Sequence, residues 1–323
     1  MKKRGVRGED WSSTAILLLV VLLLIPILVL GVSYATNPLT GQVTSRQANL
    51  SIRINAPPVI FFVSNVTPQS ITEASTTLVN FSFTASDADG AADINNNSAQ
   101  LRIMRTGETD RVNLSCHPLA LISATAINYS CSVYVWYFDG AGPWTVNASL
   151  NDTAGQRAEN ASRTFELQET AAMALSPTAL TWATLPAGFT NQTSNNDPIT
   201  VNNTGNKNIA AAGFLTTGYN LQGLSTLTDF INAQNFSVSP VNGTPSCTGV
   251  ACLECNGTLM SNNTAQSISS ANLTRGNNTI NQHNQTSGQE DIFFCLRTVP
   301  TEIARQVYDT TGSATSAWVV EIS

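Results

Sequence analysis

The sequence predicts an all-β extracellular part made of two tandem β-sandwich domains, preceded by a single N-terminal transmembrane helix. Three observations predict it. Short segments from Val59 onward alternate apolar and polar residues at period two, Gly- and Asp-containing turns separate them, and one stretch near the start is apolar enough to meet a bilayer. Strand alternation buries one face and wets the other, so many such strands at short spacing favour two packed sheets.

The apolar stretch comes first. Ala15 to Val32, "AILLLVVLLLIPILVLGV", carries no charge and is interrupted only by Pro26. Lys2, Lys3, Arg4 and Arg7 precede it, and positive residues stay on the cytoplasmic side, which sends the remainder outward. Its length exceeds the usual apolar core of a cleaved signal, so an uncleaved anchor is expected. The competing reading is cleavage after "SYA", Ser33 to Ala35, which would secrete the rest. Residues 1–14 then form a basic cytoplasmic tail, 15–35 the membrane helix or signal segment, and 36–56 an extracellular stalk with room for one strand. A basic leader ending in Gly before an apolar helix also resembles type IV pilin-like and archaellin-like filament subunits. In that family the helix begins almost at the cleavage point, whereas Glu9 to Thr14 intervene here.

Within residues 57–168, "VIFFVSNV", "LVNFSFTAS", "AQLRIMR", "RVNLSC", "NYSCSVYVWYF", "WTVNASLND" and "RTFELQ" read as strands, with "DADG", "RTGE" and "FDGAGP" as turns. Val79, Phe81 and Phe83 should face inward with Asn80, Ser82 and Thr84 outward; Val146, Ala148 and Leu150 should oppose Asn147, Ser149 and Asn151. Tyr134, Trp136 and Phe138 share one face of a strand whose other face, Val133, Val135 and Tyr137, is also apolar. That pattern favours a strand buried on both sides over a sugar-stacking platform. Residues 169–323 repeat the logic less regularly, with "LSPTALTWATLPAGF", "DPITVNNTGNKNI", "DIFFCLRTVP" and "AWVVEIS" as strand-bearing segments.

These residues carry a resemblance. "FTASDADGAADIN" followed by "GAGPWTVNASLNDTAGQ" resembles the immunoglobulin-like modules of bacterial and archaeal surface proteins, and the segments after residue 169 are similar to the start of a second module. The whole plan, a membrane segment followed by Asn/Thr-rich modules, resembles archaeal cell-surface glycoproteins. The resemblance implies two tandem immunoglobulin-like β-sandwich domains after a single N-terminal transmembrane helix.

Asparagine usage points to the same compartment. With 32 Asn and 70 Ser plus Thr in 323 residues, composition alone gives about seven Asn-x-Ser/Thr acceptor triplets. The chain has eighteen: Asn49, Asn65, Asn80, Asn96, Asn113, Asn128, Asn147, Asn151, Asn160, Asn191, Asn202, Asn235, Asn242, Asn256, Asn262, Asn272, Asn277 and Asn284. Strand alternation has no direction, yet the reversed order Ser/Thr-x-Asn occurs nine times, so the excess belongs to the direction a glycosyltransferase reads. All six cysteines lie beyond the apolar stretch, as expected of disulfides in an oxidising space. Cys116 with Cys131 is the expected first pair, because Leu114 and Tyr129 would share inward faces. Among Cys247, Cys252, Cys255 and Cys295 the preferred pairing is Cys255 with Cys295 and Cys247 with Cys252. The spacing of Cys252 and Cys255 also fits zinc or thiol redox chemistry, but no second close pair and no βαβ context accompany it.

In "SDADGAADINNN", Asp87, Asp89, Asp93 and Asn95 are candidate oxygen ligands for a structural Ca²⁺. In an EF-hand register Ala85 would take the first position and Asn96 the last, so the bland alternative is an Asp-Gly turn capping local N–H groups. No other cofactor is expected. The charged fraction of 11% and net charge of −6 leave no basic surface for nucleic acid. His117 and His283 are the only histidines and neither stands in a readable nucleophile arrangement. The expected function is therefore a non-enzymatic, membrane-anchored, N-glycosylated surface protein for envelope structure or adhesion. Its partners would be the lipid bilayer, N-linked glycans and other cell-surface proteins or glycans. A filament subunit, and a secreted enzyme or carbohydrate-binding protein, are the alternatives.

Overall fold

The computed structural model describes residues 50–240, 253–276 and 288–323. The expected membrane segment lies outside the described residues, as do Asn49, Asn242, Asn277, Asn284, Cys247, Cys252 and His283. Among the described residues no helix is long and apolar enough to cross a membrane, and residues 50–56 contain no strand. The chain from Asn55 to Ser323 forms one compact, all-β unit with two large hydrophobic cores.

The first core lies between two antiparallel four-stranded sheets. Their strands are β1 (Val59–Val63), β2 (Thr76–Ser86), β3 (Ile94–Met104), β4 (Arg111–Asn113), β5 (His117–Ser123), β6 (Ala126–Trp136), β7 (Gly142–Asp152) and β8 (Arg157–Leu167). One sheet runs β1-β2-β6-β5 and the other β4-β3-β7-β8, with a 3₁₀ turn at Ala91–Asp93 joining β2 to β3 across the sandwich. Alternation decides what meets in the middle. Val79, Phe81 and Phe83 from β2, Tyr129, Val133 and Val135 from β6, Leu101 and Ile103 from β3, and Trp144, Val146 and Leu150 from β7 are all buried. Each such large side chain stabilises the fold by roughly 1.5–3 kcal/mol relative to exposure. Phe83 stacks on Tyr129 with centroids 4.9 Å apart, and Phe81 meets Phe165 edge-on at 5.6 Å. Buried polar tips find partners: Trp144 Nε1 donates to Gly140 O at 3.0 Å, and the Tyr129 hydroxyl donates to Asn96 Oδ1 at 2.6 Å. Burial pushes the Tyr129 hydroxyl up to about 12.

Two local expectations are overturned here. Leu114 does not face inward; it is 70% exposed. The strand ends at Asn113, whose Nδ2 donates to Ser132 O at 2.8 Å while its Oδ1 accepts from Ser115 N at 2.9 Å. This Asx turn carries the chain from one sheet toward the other, and Cys116 reaches the core instead. Nor is β6 buried on both faces. Tyr134 is 58% exposed and pairs across the outer face with Leu78, itself exposed. Trp136 is half-buried and stacks on Phe138, so only the Val133, Val135 and Tyr137 side is core throughout.

The second core is assembled from shorter strands. β9 (Met173–Ser176), β10 (Thr190–Thr193) and β11 (Ile199–Asn203) join Phe236–Pro240, Thr258–Leu259 and Gln289–Thr298 in a six-stranded sheet. Two three-stranded sheets and one two-stranded sheet complete the region among the described residues, one of them built by Phe214–Gly218 between Thr264–Ser267 and Val319–Ile322. Phe214, Phe236 and Phe294 are fully buried, and Trp318 stands edge-on to Phe236 and Phe294 at 5.0 and 5.6 Å. "LSPTALTWATLPAGF" supplies only the end of β9. The residues from Pro177 to Phe189 form no strand, and Trp182 reaches Phe236 from that loop, with Nε1 donating to Gln192 O. Pro177 and Pro186 lack the N–H a ladder needs.

Two disulfides fasten these sheets. The expected Cys116–Cys131 bond is present, with Cα atoms 4.7 Å apart, and a second bond joins Cys255 to Cys295 at 5.0 Å. Their sequence separations are 15 and 40 residues. Loop-closure entropy then assigns about 3 kcal/mol to the first and about 4 kcal/mol to the second. Urea unfolding of the Cys116→Ala/Cys131→Ala and Cys255→Ala/Cys295→Ala pairs should reproduce that order; equal or reversed losses would show that loop length does not decide the effect.

Candidate functional site

The acceptor asparagines occupy surface positions for a reason internal to the strands. Asn80 and Asn128 lie on the outer face of the β1-β2-β6-β5 sheet, opposite Ser132 and Thr84 respectively. Ser132 Oγ donates to Asn80 Oδ1 at 2.7 Å. Asn147 and Asn151 lie on the outer face of the other sheet, and Asn160 follows on β8 with Nδ2 donating to Ile60 O at 2.9 Å. Asn65, Asn80, Asn96, Asn256, Asn262 and Asn272 are exposed; Asn113, Asn128, Asn147, Asn151, Asn160, Asn191, Asn202 and Asn235 are half-buried. None of the described acceptor asparagines is buried. Among the described residues the two buried asparagines, Asn203 and Asn206, are not acceptors, and both serve the backbone. Asn203 Nδ2 donates to Lys207 O, and Asn206 Nδ2 donates to Gln168 O while its Oδ1 accepts from Thr170 N.

Cys255 is engaged with Cys295, which removes it from thiolate chemistry in this state. His117 is exposed on β5.

The aspartates predicted to meet do so. One carboxylate oxygen from each of Asp87, Asp89 and Asp93 lies within 4.8 Å of the others. Asp87 follows the last residue of β2, Asp89 sits in the turn, and Asp93 closes the 3₁₀ turn. Gly90 supplies the left-handed φ of 121° that lets the chain double back. Asp87 Oδ1 accepts from Asp89 N at 2.8 Å, the Asx cap of the bland reading, and Asp89 Oδ2 accepts from Ala56 N at 2.7 Å. The Thr153 hydroxyl donates to Asp93 Oδ1. The EF-hand register does not apply. Ala85 is buried within β2, Asn96 receives the Tyr129 hydroxyl, and Asn95 Oδ1 caps Asn97 N, so the cluster is a turn and a 3₁₀ turn folded together.

Sequence reasoning missed the neighbours of this cluster. Asp152 is 1% exposed at the end of β7, where Asn55 Nδ2 donates to its Oδ2 and Gln156 N to its Oδ1, each at 2.7 Å. The only signal was that Asp152 ends the alternating "WTVNASLND" run. Two ion pairs, one buried and one half-buried, were equally illegible. Arg111 grips Asp139 with two hydrogen bonds, Nε to Oδ2 at 2.9 Å, and Arg275 grips Glu108 while donating to Phe138 O. Burial pushes the Asp139 carboxyl up, and the hydrogen bond and charge of Arg111 pull it back without cancelling the rise.

A scan against protein-family models finds no match for this chain, and a search of curated proteins finds no relative.

Asp152 sets a pH dependence. Burial alone would raise its carboxyl, but the Asn55 amide and the backbone N–H groups of Gln156, Ala154 and Gly155 outweigh that and hold it below the ordinary carboxylate range. A depressed carboxyl contributes stability that is present above its unfolded value, about 3.9, and is lost as pH falls through the folded value. Urea midpoints measured from pH 6 down to about 2 should fall more steeply for the wild-type chain than for Asp152→Asn. Parallel profiles would remove Asp152 from the acid response.

Proposed function

We propose that this chain is an exported, membrane-anchored, N-glycosylated surface protein whose immunoglobulin-like β-sandwiches serve envelope structure or adhesion rather than catalysis. The observation that carries the reading is the placement of the acceptor asparagines, none of which is buried among the described residues, while the two buried asparagines are not acceptors. A glycan adds a bulky, strongly hydrated group, so it is compatible with the fold only where the amide reaches solvent. The Cys116–Cys131 bond agrees with an oxidising compartment. For the finer fold, the strand orders β1-β2-β6-β5 and β4-β3-β7-β8 correspond to the ABED sheet and a CFG sheet extended by one strand in immunoglobulin-like domains. The module boundaries proposed are 57–168 and 169–323.

The physical task on this reading is spacing and display. Sugars over the wet faces would keep proteases and neighbouring sheet edges away, and the outer partners would be glycans or proteins of the cell surface.

Intact-mass measurement and glycopeptide mapping of the native material test it. The mass should exceed the 34.3 kDa of the polypeptide, with Asn65, Asn80, Asn96, Asn256, Asn262 and Asn272 among the occupied sites. Enzymatic deglycosylation should shorten the lifetime under a broad-specificity protease. Bare polypeptide mass would end the glycoprotein reading, and an unchanged protease lifetime would end the shielding role.

A further inference from the structure

We propose that Asp87, Asp89 and Asp93 form a Ca²⁺ site at the end of the first sandwich where β2 turns over to β3. The proximity of their carboxylates alone would not carry this, since acidic turns are common. What carries it is an unsatisfied interior. Asp87 is 1% exposed, yet its Oδ2 has no hydrogen-bond partner, and Asp93 Oδ2 is likewise shielded from solvent and unpartnered. Neither Asp87 nor Asp93 has an ion-pair partner among the described residues. Leaving a buried carboxylate oxygen bare costs free energy that native folds rarely tolerate. The contrast with Asp152 nearby is direct. That carboxylate is as deeply buried and has both oxygens occupied by N–H donors.

A divalent cation supplies what protein donors do not. Carboxylate oxygens are hard ligands, and a set of several on an adaptable turn suits the larger, less geometrically demanding Ca²⁺ better than Mg²⁺, which keeps its waters and requires an octahedron. Surface modules outside cells bind Ca²⁺ with dissociation constants of roughly 10⁻⁴ to 10⁻³ M, matched to extracellular concentrations. The ion would tie together the end of β2, the turn and the start of β3. Through the Asp89 carboxylate that accepts from Ala56 N and the Asp93 carboxylate that accepts from Thr153, it would also hold the chain before β1 and the β7–β8 turn. The site does not depend on the chain being glycosylated.

The test uses the full chain in detergent, stripped with EDTA and titrated with CaCl₂ or MgCl₂ by calorimetry and thermal unfolding. Ca²⁺ should bind the wild-type chain at one site and raise Tm on the order of 5 °C at about 10 mM. The same concentration of Mg²⁺ should give a much smaller rise. Asp87→Asn and Asp93→Asn should each lose the Ca²⁺ heat and the Ca²⁺-dependent rise. In EDTA both should melt at or above the wild-type temperature, because the substitution removes an uncompensated carboxylate. If Asp87→Asn fails to fold, Asp93→Asn carries the comparison. Absence of heat and of a Tm rise in the wild type overturns the proposal, as does a rise that persists in both variants or that Mg²⁺ reproduces in full.

Discussion

The register between β2 and β6 is the constraint on which the first sandwich depends. It runs without a shift from Thr76 opposite Trp136 to Ser86 opposite Ala126. With a side-chain period of two, a slip of one residue turns one strand over relative to the other, so that either Asn80 and Ser82 replace Phe81 and Phe83 in the core or Ser130 replaces Tyr129. The aromatic layer makes that slip expensive. Phe83 and Tyr129 sit directly opposite each other and stack, so the pairing that fixes register also fills the interior. The same register places Cys131 inward to meet Cys116 and sends Asn80 and Ser132 outward as a hydrogen-bonded pair.

The ends of these strands inherit that precision. Because β2 finishes at Ser86, Asp87 is delivered into the rim of the sandwich, where its backbone N donates to Thr125 O at 2.9 Å and the Asp-Ala-Asp-Gly turn begins. On the opposite rim, the residues after β6 present Asp139 to Arg111, and the Asp139 carboxylate also accepts from Trp136 N at 2.8 Å. A buried charge with a bidentate partner and a backbone donor is tolerated; one without is a liability. The two rims therefore differ in kind. One is closed by protein groups alone, and the other leaves carboxylate oxygens uncovered.

How much of this was legible follows from the range of the interactions. Alternation is a local property, so the inward faces of β2 and β7 could be read directly from "LVNFSFTAS" and "WTVNASLND", and the grouping of Asp87, Asp89 and Asp93 followed from their nearness in one turn. Leu114 was misread because an Asx turn at Asn113 ends the strand, and a three-residue strand carries too little periodicity to reveal its end. Tyr134 was misread because an apolar outer face looks the same in sequence whether or not another element covers it. The pairs Arg111–Asp139 and Arg275–Glu108 join residues 28 and 167 positions apart, and no local pattern announces them. The second region was least legible. Most of its strands have two to five residues, too few for alternation to stand out against an Asn/Thr-rich background, and Trp182 enters its core from a loop.

The scarcity of charge ties the two surfaces of the sandwich together. With 11% charged residues, this chain has few ion pairs with which to wet its sheets; those of Arg102 with Asp110 and Arg157 with Glu159 fall on the β4-β3-β7-β8 side, and the outer face of the β1-β2-β6-β5 sheet is built from neutral amides and hydroxyls. Such groups can satisfy one another across strands, as Ser132 and Asn80 do, and each internal satisfaction withdraws a group from water. A sheet face finished this way is flat, neutral and interrupted by apolar pairs such as Leu78 with Tyr134, and the edge strand β5 adds exposed Leu119, Leu121 and Ile122. Those are the properties that promote edge pairing between chains. Charge is the usual remedy, and it is scarce here. On the proposed reading a glycan at Asn80 or Asn128 performs the same office without charge, by adding bulk and bound water to the face that most needs them. On that reading the dense acceptor sites offset the scarcity of charge on this face.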